Sequence, residues 1–295
     1  MPQPETLTAI IMSLNEEQHI TRCIESLRPV AERIVVVDSF STDRTIEIAQ
    51  RLGAEVLQNR FVSHAHQYQW ALDRLGVTSA WILRVDADEY LETVLQQSIL
   101  EFLADPGAVN AVFLRRKIVF LGRPILHGFF YPLKILRLYR TGQGRMEQRR
   151  MDEHITVDTP VCRTLDGDLV DDNLNCLAWW SSKHIGYARK EAWEIIACRQ
   201  GGQSAPPLSG AARRKRFLKN RVYNRLPSAL RSTLYFFYRY VIGLGFLDGK
   251  AGFFFHFLQA YWYRTYVDAT LYEIERQAAA EGLSAYQMLR RDGIL

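Results

Sequence analysis

The first hundred residues alternate between short apolar runs and segments with helical spacing, and this rhythm limits the folds open to the chain. The run Arg33–Asp38 is β-branched and uninterrupted, as expected of a parallel strand that is covered on both faces. Residues 8–12, 54–57 and 80–86 are similar runs. Strands and helices in this order predict βαβ units, and therefore an α/β fold around a mostly parallel sheet.

The basic charge of the chain is concentrated in one segment. The formal net charge is +5, and residues 213–225 hold seven Lys or Arg side chains and no acidic ones, which leaves 5 − 7 = −2 for the rest. Few aromatic residues interleave with this segment, so we predict no nucleic-acid partner. The four cysteines are scattered, which favours a reducing cytosol. Neither a secretory leader nor an uncharged run long enough to span a membrane is indicated.

The Gly- and Pro-rich residues 201–210 interrupt the helical pattern and predict a domain boundary. We therefore expect an α/β domain over residues 1–200 and a helical extension over residues 201–295. Aromatic residues are dense between 230 and 257, directly after the basic segment. This order favours helices that associate with a membrane surface, where basic side chains meet anionic headgroups. The alternative is a soluble helical subdomain with an aromatic core.

Acidic residues stand at the ends of two predicted strands. Asp38 ends one strand, and Asp86-Ala87-Asp88 follows another. Open α/β sheets bind ligands beyond the carboxyl ends of their strands, and carboxylate oxygens suit Mg²⁺ or Mn²⁺. A cation held by Asp88 and Asp86 would neutralise a departing diphosphate. The alternative is an acidic first helical turn that complements the helix dipole.

Three motifs in order resemble the family 2 glycosyltransferases, which are inverting enzymes of the GT-A fold. They are Ile-Ile-Met-Ser-Leu-Asn-Glu-Glu at 10–17, Val-Val-Val-Asp-Ser-Phe-Ser-Thr-Asp-Arg-Thr at 35–45 and Leu-Arg-Val-Asp-Ala-Asp-Glu at 83–89. Phe40 departs from the Gly that is usual in the second motif. The segment His-Gly-Phe-Phe-Tyr-Pro at 127–132 is similar to the lipopolysaccharide-core, capsular and exopolysaccharide members. The resemblance implies a Rossmann-like, mostly parallel sheet flanked by helices.

The resemblance also implies a role for each acidic residue. Asp38 would accept a hydrogen bond from the nucleotide base, Asp86 would contact the ribose or the metal-bound phosphate, and Asp88 would ligate Mg²⁺ or Mn²⁺ directly. Glu16 or Glu17 would approach the base or ribose. For Asp38 the alternative is capping of the following turn, and for the two glutamates it is a solvated pair. The residues expected against the nucleotide sugar are Leu14, Asn15, Glu16, Asp38, Arg84 and Asp86.

An inverting transfer needs a general base for the acceptor hydroxyl. Asp152-Glu153-His154 resembles the acidic pair that follows the metal motif in the family. Aligned in this way, Glu153 is the catalytic base, and Asp152 is the second candidate.

Together these features predict a metal-dependent glycosyltransferase of the hexosyltransferase type. The expected donor is a nucleotide-diphosphate sugar, with UDP favoured, and the expected acceptor is a lipid-linked glycan or a lipopolysaccharide core. The enzyme would lie peripherally on the inner face of the cytoplasmic membrane. One alternative is a sugar nucleotidyltransferase, which needs a basic Gly-rich loop where residues 13–17 are acidic. Another is an inactive membrane-bound scaffold, although the carboxylates that it would be expected to lose are all present.

Overall fold

The computed structural model describes residues 5–147, 154–200 and 228–295. The chain forms two compact units, Met1–Leu174 and Asn175–Leu295. The predicted boundary segment 201–210 lies outside the described residues. The helix Leu177–Arg199 nevertheless belongs to the second unit, because its buried residues Ala188, Ala192 and Ile196 pack in that unit's core.

In the first unit, nine strands form one sheet in the order β3-β2-β1-β4-β8-β6-β11-β5, with β7 paired to β6, and β9 and β10 form a separate ribbon. The described strands are β1 Leu7–Ser13, β2 Arg33–Asp38, β3 Glu55–Gln58, β4 Trp81–Asp86, β5 Glu89–Leu91, β6 Ala111–Phe120, β7 Arg123–Pro124, β8 Leu133–Arg140, β9 Gly144–Met146, β10 Ile155–Val157 and β11 Cys162–Asp172. The helices described in this unit are α1 Ile20–Leu27, α2 Thr45–Arg51, α3 His64–Leu75 and α4 Thr93–Ala104.

Six of the nine described strands in this sheet run in the same direction, and β5, β7 and β8 run in the opposite one. The predicted α/β fold with a mostly parallel sheet is therefore confirmed. Alternate residues of β1 face opposite sides of the sheet: Ile11 packs in a core cluster with α1 and α4, whereas Ile10 packs in a cluster with α3. Both faces are buried, which explains why the strand is apolar throughout.

The register of the parallel strands brings the acidic motifs to one edge. Ser13 at the end of β1 lies beside Asp38 at the end of β2. On the other side of β1, Met12 lies beside Asp86 at the end of β4. The loops that follow these three strands therefore share the carboxyl edge of the sheet, where open α/β sheets bind their ligands.

The second unit is helical in the part that the structure describes. Its α-helices are α5 Leu177–Arg199, α6 Ser228–Phe237, α7 Gly249–His256, α8 Tyr263–Ala280 and α9 Ala285–Arg291. Short π-helical segments, Tyr238–Ile242 and Phe257–Trp262, and a 3₁₀ turn, Gly245–Asp248, connect them. Its core lies among α5, α8 and α9.

No single described helix is long and apolar enough to cross a bilayer. One pair, Leu230–Ile242 and Gly245–Ala280, passes that test of length and composition when the two are taken together, and it is bent by 73°. The predicted helical extension is confirmed, and its membrane association stays a prediction.

Gly167 marks a packing constraint beside the carboxyl edge. The register between β11 and β6 shifts between Thr164 and Asp168, and Gly167 in this irregularity has φ +87°. A Cβ atom at Gly167 would lie 2.2 Å from the backbone nitrogen of Leu95 in α4. Only glycine therefore lets β11 bend this close to α4.

We expect Gly167→Ala to lower the free energy of unfolding by about 3 kcal/mol, because the left-handed backbone and the contact with α4 both oppose a side chain. Urea denaturation measures the change. Gly53→Ala is the matched control, since Gly53 also has a positive φ (+78°) but has nothing within 4 Å of the added Cβ. The control should cost about 1 kcal/mol. Equal losses for the two variants would show that the close approach to α4 is unimportant.

Candidate active site

The loops after β1 and β2 are hydrogen-bonded to each other. The backbone nitrogen of Asn15, a residue with φ +56°, donates to Ser41 Oγ at 2.8 Å, and Asn15 Oδ1 accepts from Thr42 N at 2.8 Å. The backbone nitrogen of Glu16 donates to Thr45 Oγ1 at 2.7 Å. The first two sequence motifs therefore build one rigid surface, because the side chains of the second satisfy the backbone of the first.

Asp38 is the anchor of this pair of loops. Its side chain is fully buried and accepts from Ser13 Oγ at 3.0 Å and from Ser41 N at 2.8 Å, and Ser41 Oγ also donates to it. The protein itself thus engages both carboxylate oxygens. This is the turn-capping role that was the alternative for Asp38. Contact with a nucleotide base stays a prediction.

Phe40 occupies the position where the resemblance predicts Gly. The backbone φ of Phe40 is +63°, a left-handed value that glycine adopts most easily, and this explains why Gly is usual at the position. A left-handed backbone costs a residue with a side chain roughly 1–2 kcal/mol relative to a right-handed one. The Phe40 ring is 54% exposed, and Leu14 in the partner loop is 48% exposed. These two side chains give the loops an apolar surface on which a flat nucleobase could lie.

Glu16 is held by a buried histidine. Glu16 Oε2 lies 2.6 Å from His19 Nδ1, and His19 Nε2 accepts from the backbone nitrogen of Leu174 at 2.8 Å. Because Nε2 accepts, the proton resides on Nδ1 and is donated to Glu16. Glu17 Oε2 accepts from the backbone nitrogen of Arg44 at 3.1 Å. Both glutamates therefore have partners in the protein, and Glu17 is also exposed to solvent. Their contact with the base or ribose stays a prediction.

A network of three arginines and three carboxylates lies where β4 ends. Arg137 Nη2 donates to Asp86 Oδ2 at 2.7 Å and to Glu89 Oε1 at 2.8 Å. Arg84 Nη2 donates to Asp86 Oδ1 at 2.9 Å. Arg116 pairs with Asp171 and lies 3.4 Å from Glu89. The formal charges of these six side chains balance.

The two carboxylates on Arg137 differ in their ionisation. Burial opposes the charge of Asp86, but Arg137 and Arg84 outweigh it and hold the pKa of Asp86 far below its usual range. Burial, opposed by Arg137 and reinforced by Asp86, raises the pKa of Glu89 to about 7. The Asp86 side chain is 31% exposed and that of Glu89 is 0% exposed, so the better-solvated carboxylate keeps its charge.

Asp88 differs from Asp86 in having no cationic partner. No Lys or Arg of residues 5–147, 154–200 or 228–295 pairs with it, and its Oδ2 accepts from Asn173 Nδ2 at 3.0 Å. Among the described residues its charge therefore has no cationic counterpart, whereas both oxygens of Asp86 are held by arginines. Mg²⁺ and Mn²⁺ are commonly bound through one or two carboxylates together with substrate phosphates. Asp88 fits such a cation, and Asp86 fits it less well while Arg84 and Arg137 hold it.

A second polar cluster was not predicted from the sequence. Asp168 on β11 is buried and accepts from Tyr131 Oη at 3.0 Å, and it pairs with Arg115 Nε at 3.2 Å and Lys117 Nζ at 3.1 Å. Three consecutive basic residues, Arg115 to Lys117, interrupt an otherwise apolar strand, and that interruption was the available signal. Arg137 is a similar case, because it is the one charged residue between Leu136 and Tyr139 in β8.

Comparison with known proteins identifies the family to which the first unit belongs. The glycosyl transferase family 2 model matches residues 8–173, which is more than half of the chain and contains every described residue of the site. The chain belongs to glycosyl transferase family 2. The predicted recognition and the GT-A fold are thereby confirmed.

Two curated relatives illustrate the subgroup within family 2. The lipopolysaccharide core biosynthesis glycosyltransferase LpsC of Rhizobium meliloti (strain 1021) is 34% identical over 176 residues, 56% of this chain and 62% of that protein. The succinoglycan biosynthesis protein ExoA of the same organism is 35% identical over 104 residues, 30% of this chain and 32% of that protein. The chain thus spans less than two thirds of the length of either relative.

A solved structure also matches part of the chain. Glucosyl-3-phosphoglycerate synthase from Mycobacterium tuberculosis, in complex with Mn²⁺, UDP and glucosyl-3-phosphoglycerate, is 20% identical with a TM-score of 0.33. The match covers 39% of this chain and 44% of that one.

The candidate bases of this family 2 member, Asp152 and Glu153, lie outside the described residues. The structure describes the chain on either side of them, where Glu147 N donates to the carbonyl of His154 at 2.9 Å. That bond extends the β9–β10 ribbon beyond its last described strand pair. Their role as base stays a prediction.

We expect Arg137→Met to lower the free energy of unfolding by about 3 kcal/mol, because it leaves Asp86 and Glu89 without their shared cation. Urea denaturation at pH 8 measures the loss. Adding Glu89→Gln should recover part of it by removing one stranded carboxylate. Arg145→Met is the control: Arg145 and its partner Asp158 are 64% and 70% exposed, so the loss should stay below about 0.5 kcal/mol. An Arg137 variant as stable as this control would contradict the buried network.

Proposed function

We propose that this family 2 enzyme transfers a hexosyl group, with inversion, from a nucleotide-diphosphate sugar to a hydroxyl of a lipid-linked glycan or lipopolysaccharide core. The observation that carries the proposal is the state of the two aspartates at the end of β4. Asp86 is ionised and neutralised by arginines, whereas no Lys or Arg in the described part of the chain pairs with Asp88. This arrangement suits the binding of a cation and a diphosphate at one point.

The nucleotide would occupy the joined loops after β1 and β2. Asn15 and Asp38 hold these loops together, and Phe40 and Leu14 remain exposed on them. A UDP-sugar is our proposed donor, on the family resemblance. Because the loops are already hydrogen-bonded to each other, the donor would meet a preformed surface, which lowers the entropic cost of binding.

Asp88, assisted by Asp86, would hold Mg²⁺ or Mn²⁺. When bound, the cation would supply Lewis-acid stabilisation of the negative charge on the leaving diphosphate. Arg84 and Arg137 would keep Asp86 ionised and fixed in orientation towards the ribose or phosphate.

Inversion requires a single displacement with a base on the acceptor side. Glu153 would remove the proton from the acceptor hydroxyl as its oxygen forms the new bond to the anomeric carbon. The bond from that carbon to the diphosphate oxygen would break, and the nucleoside diphosphate would leave with the electron pair. Asp152 is the second candidate for this base.

Our proposal for the class of acceptor rests on the names of two relatives and on the composition of the second unit. LpsC carries a name from lipopolysaccharide core biosynthesis, and ExoA one from succinoglycan biosynthesis. The basic segment 213–225 precedes helices with many exposed apolar residues. We propose that the enzyme is peripheral on the cytoplasmic face of the inner membrane, where an anionic surface and a lipid-linked acceptor would meet it.

Two other functions fit less well. A sugar nucleotidyltransferase needs a basic loop after β1, but this loop contains Glu16 and Glu17, which are bonded within the site. An inactive scaffold would not need Asp88, which no described Lys or Arg neutralises, after a strand end. Donor hydrolysis with a panel of nucleotide sugars separates the proposed transferase from both alternatives.

We expect Asp88→Asn to lower cation-dependent donor hydrolysis by about 100-fold or more, because the ligand charge is lost. The assay follows release of the nucleoside diphosphate with Mn²⁺, with Mg²⁺ and with EDTA. Asp73→Asn is the control, since Asp73 is exposed on α3. Full cation-dependent turnover by the Asp88 variant would disprove the metal assignment.

We expect Glu153→Gln to bind the donor with unchanged affinity but to transfer the sugar about 100- to 10,000-fold more slowly, because the amide cannot accept the proton. Calorimetry with UDP measures the first property, and a transfer assay with a lipopolysaccharide-core acceptor measures the second. Asp152→Asn should retain most of the activity. The reverse pattern would make Asp152 the base, and weak UDP binding by the Glu153 variant would place Glu153 in the nucleotide site instead.

A further inference from the structure

An unusually exposed apolar turn joins α6 to α7 in the second unit. We name residues 241–247, with the sequence Val-Ile-Gly-Leu-Gly-Phe-Leu, the apolar turn. Apart from its two glycines, the turn has five residues, and all five are 45–67% exposed. Single exposed apolar residues are ordinary on protein surfaces, but an uninterrupted run of this kind marks an interaction site.

The inward positions of the turn are occupied by the buried residues Gly243 and Gly245. A Cβ atom at Gly245 would lie 2.4 Å from the His256 ring, and one at Gly252 would lie 2.6 Å from the carbonyl of Gly245. The turn therefore packs closely against α7. The rings of Phe236, Tyr240 and Phe253 pack together between the two arms of the hairpin, with centroids 5.3–6.2 Å apart. Phe236 and Tyr240 are stacked, and Phe253 meets both of them edge to face.

The backbone of the apolar turn forms its own hydrogen bonds. Gly243 N donates to the carbonyl of Tyr238 at 2.8 Å, Leu244 N to that of Val241 at 3.2 Å, and Leu247 N to that of Leu244 at 2.9 Å. Irregular backbone normally cannot enter hydrocarbon, because an unsatisfied peptide group costs several kcal/mol there. These bonds remove part of that obstacle.

The charges around the turn are those that an anionic bilayer selects. Between Glu194 and Asp268 the sequence holds twelve Lys or Arg residues and a single acidic residue, Asp248. Residues 240–247 carry no charge; Arg239 precedes this stretch, and Asp248 and then Lys250 follow it. Basic residues next to an apolar element match the boundary between headgroups and acyl chains.

A fluid occupant fits the turn better than a second protein. The exposed side chains occupy nearly consecutive positions and so do not share the single face that a flat protein interface would cover. Hydrocarbon can adapt to every exposed side chain of such a turn. We propose that the apolar turn inserts into the acyl region of one leaflet of an anionic membrane, with Ile242 and Leu244 among the deepest residues. This inference deepens the membrane attachment proposed above and rests on it.

Site-specific fluorescence tests the insertion in the full chain. An environment-sensitive fluorophore is placed at Ile242→Cys in a background where the exposed Cys162, Cys176 and Cys198 are serine. Tyr272→Cys is the matched control, because Tyr272 is 69% and Ile242 is 67% exposed. The probes are vesicles of phosphatidylcholine with phosphatidylglycerol, with and without a nitroxide on the acyl chains. We expect a blue shift and acyl-chain quenching at residue 242 and neither at residue 272.

A binding experiment provides a second measurement. Ile242→Asp should weaken partition into the same vesicles at least about tenfold, whereas Tyr272→Asp should change it less than about twofold. Both variants should retain the wild-type circular dichroism and the wild-type rate of donor hydrolysis, since neither residue belongs to the transferase site.

The outcomes separate this inference from the proposed function. Vesicle binding without a fluorescence change at residue 242 would overturn insertion and leave attachment by the basic segment. Failure to bind vesicles at all would overturn both insertion and membrane attachment. The donor-hydrolysis assay would still test the transferase chemistry independently. Loss of self-association in Ile242→Asp, with unchanged vesicle partition, would identify the turn as an interface between copies and overturn the proposal.

Discussion

The chemistry of the site depends on the ion pairs that the guanidinium of Arg137 forms. One of its nitrogens holds both Asp86 and Glu89, at 2.7 and 2.8 Å, where β4 ends and β5 begins. A buried carboxylate without such a partner would take up a proton, because the charged form is penalised away from water. Together with Arg84, Arg137 instead keeps Asp86 ionised and balances its negative charge. Asp88 is then left as the carboxylate whose charge a cation can balance.

The donor side of the site is organised by a different interaction, the exchange of hydrogen bonds between two loops. Serine, threonine and aspartate side chains of the second loop satisfy backbone groups of the first, and Asp38 anchors the arrangement from a buried position. Such bonds fix the loops before any ligand arrives. They also permit the strained φ of Phe40, since a backbone that neighbours hold in place can sustain that cost.

The two units carry different kinds of surface. The first gathers ionised side chains at the carboxyl edge of a sheet, where arginines and carboxylates balance. The second exposes apolar residues at a hairpin turn within a long stretch that is nearly free of acidic residues. An enzyme that joins a water-soluble donor to a lipid-linked acceptor would need both properties. The family assignment covers only the first unit.

The sequence by itself determined the βαβ order, the sheet and the position of both acidic motifs, because buried parallel strands are apolar throughout and end in polar loops. It also determined the family. Only the tertiary structure revealed that arginines from β4, β6 and β8 meet at Asp86 and Glu89, and that Asp168 binds Tyr131. Arg137 and Asp86 are 51 positions apart in the sequence, and no local pattern specifies which strands become neighbours. Pairing in the sheet decided which charges are compensated, and so distinguished Asp88 from Asp86.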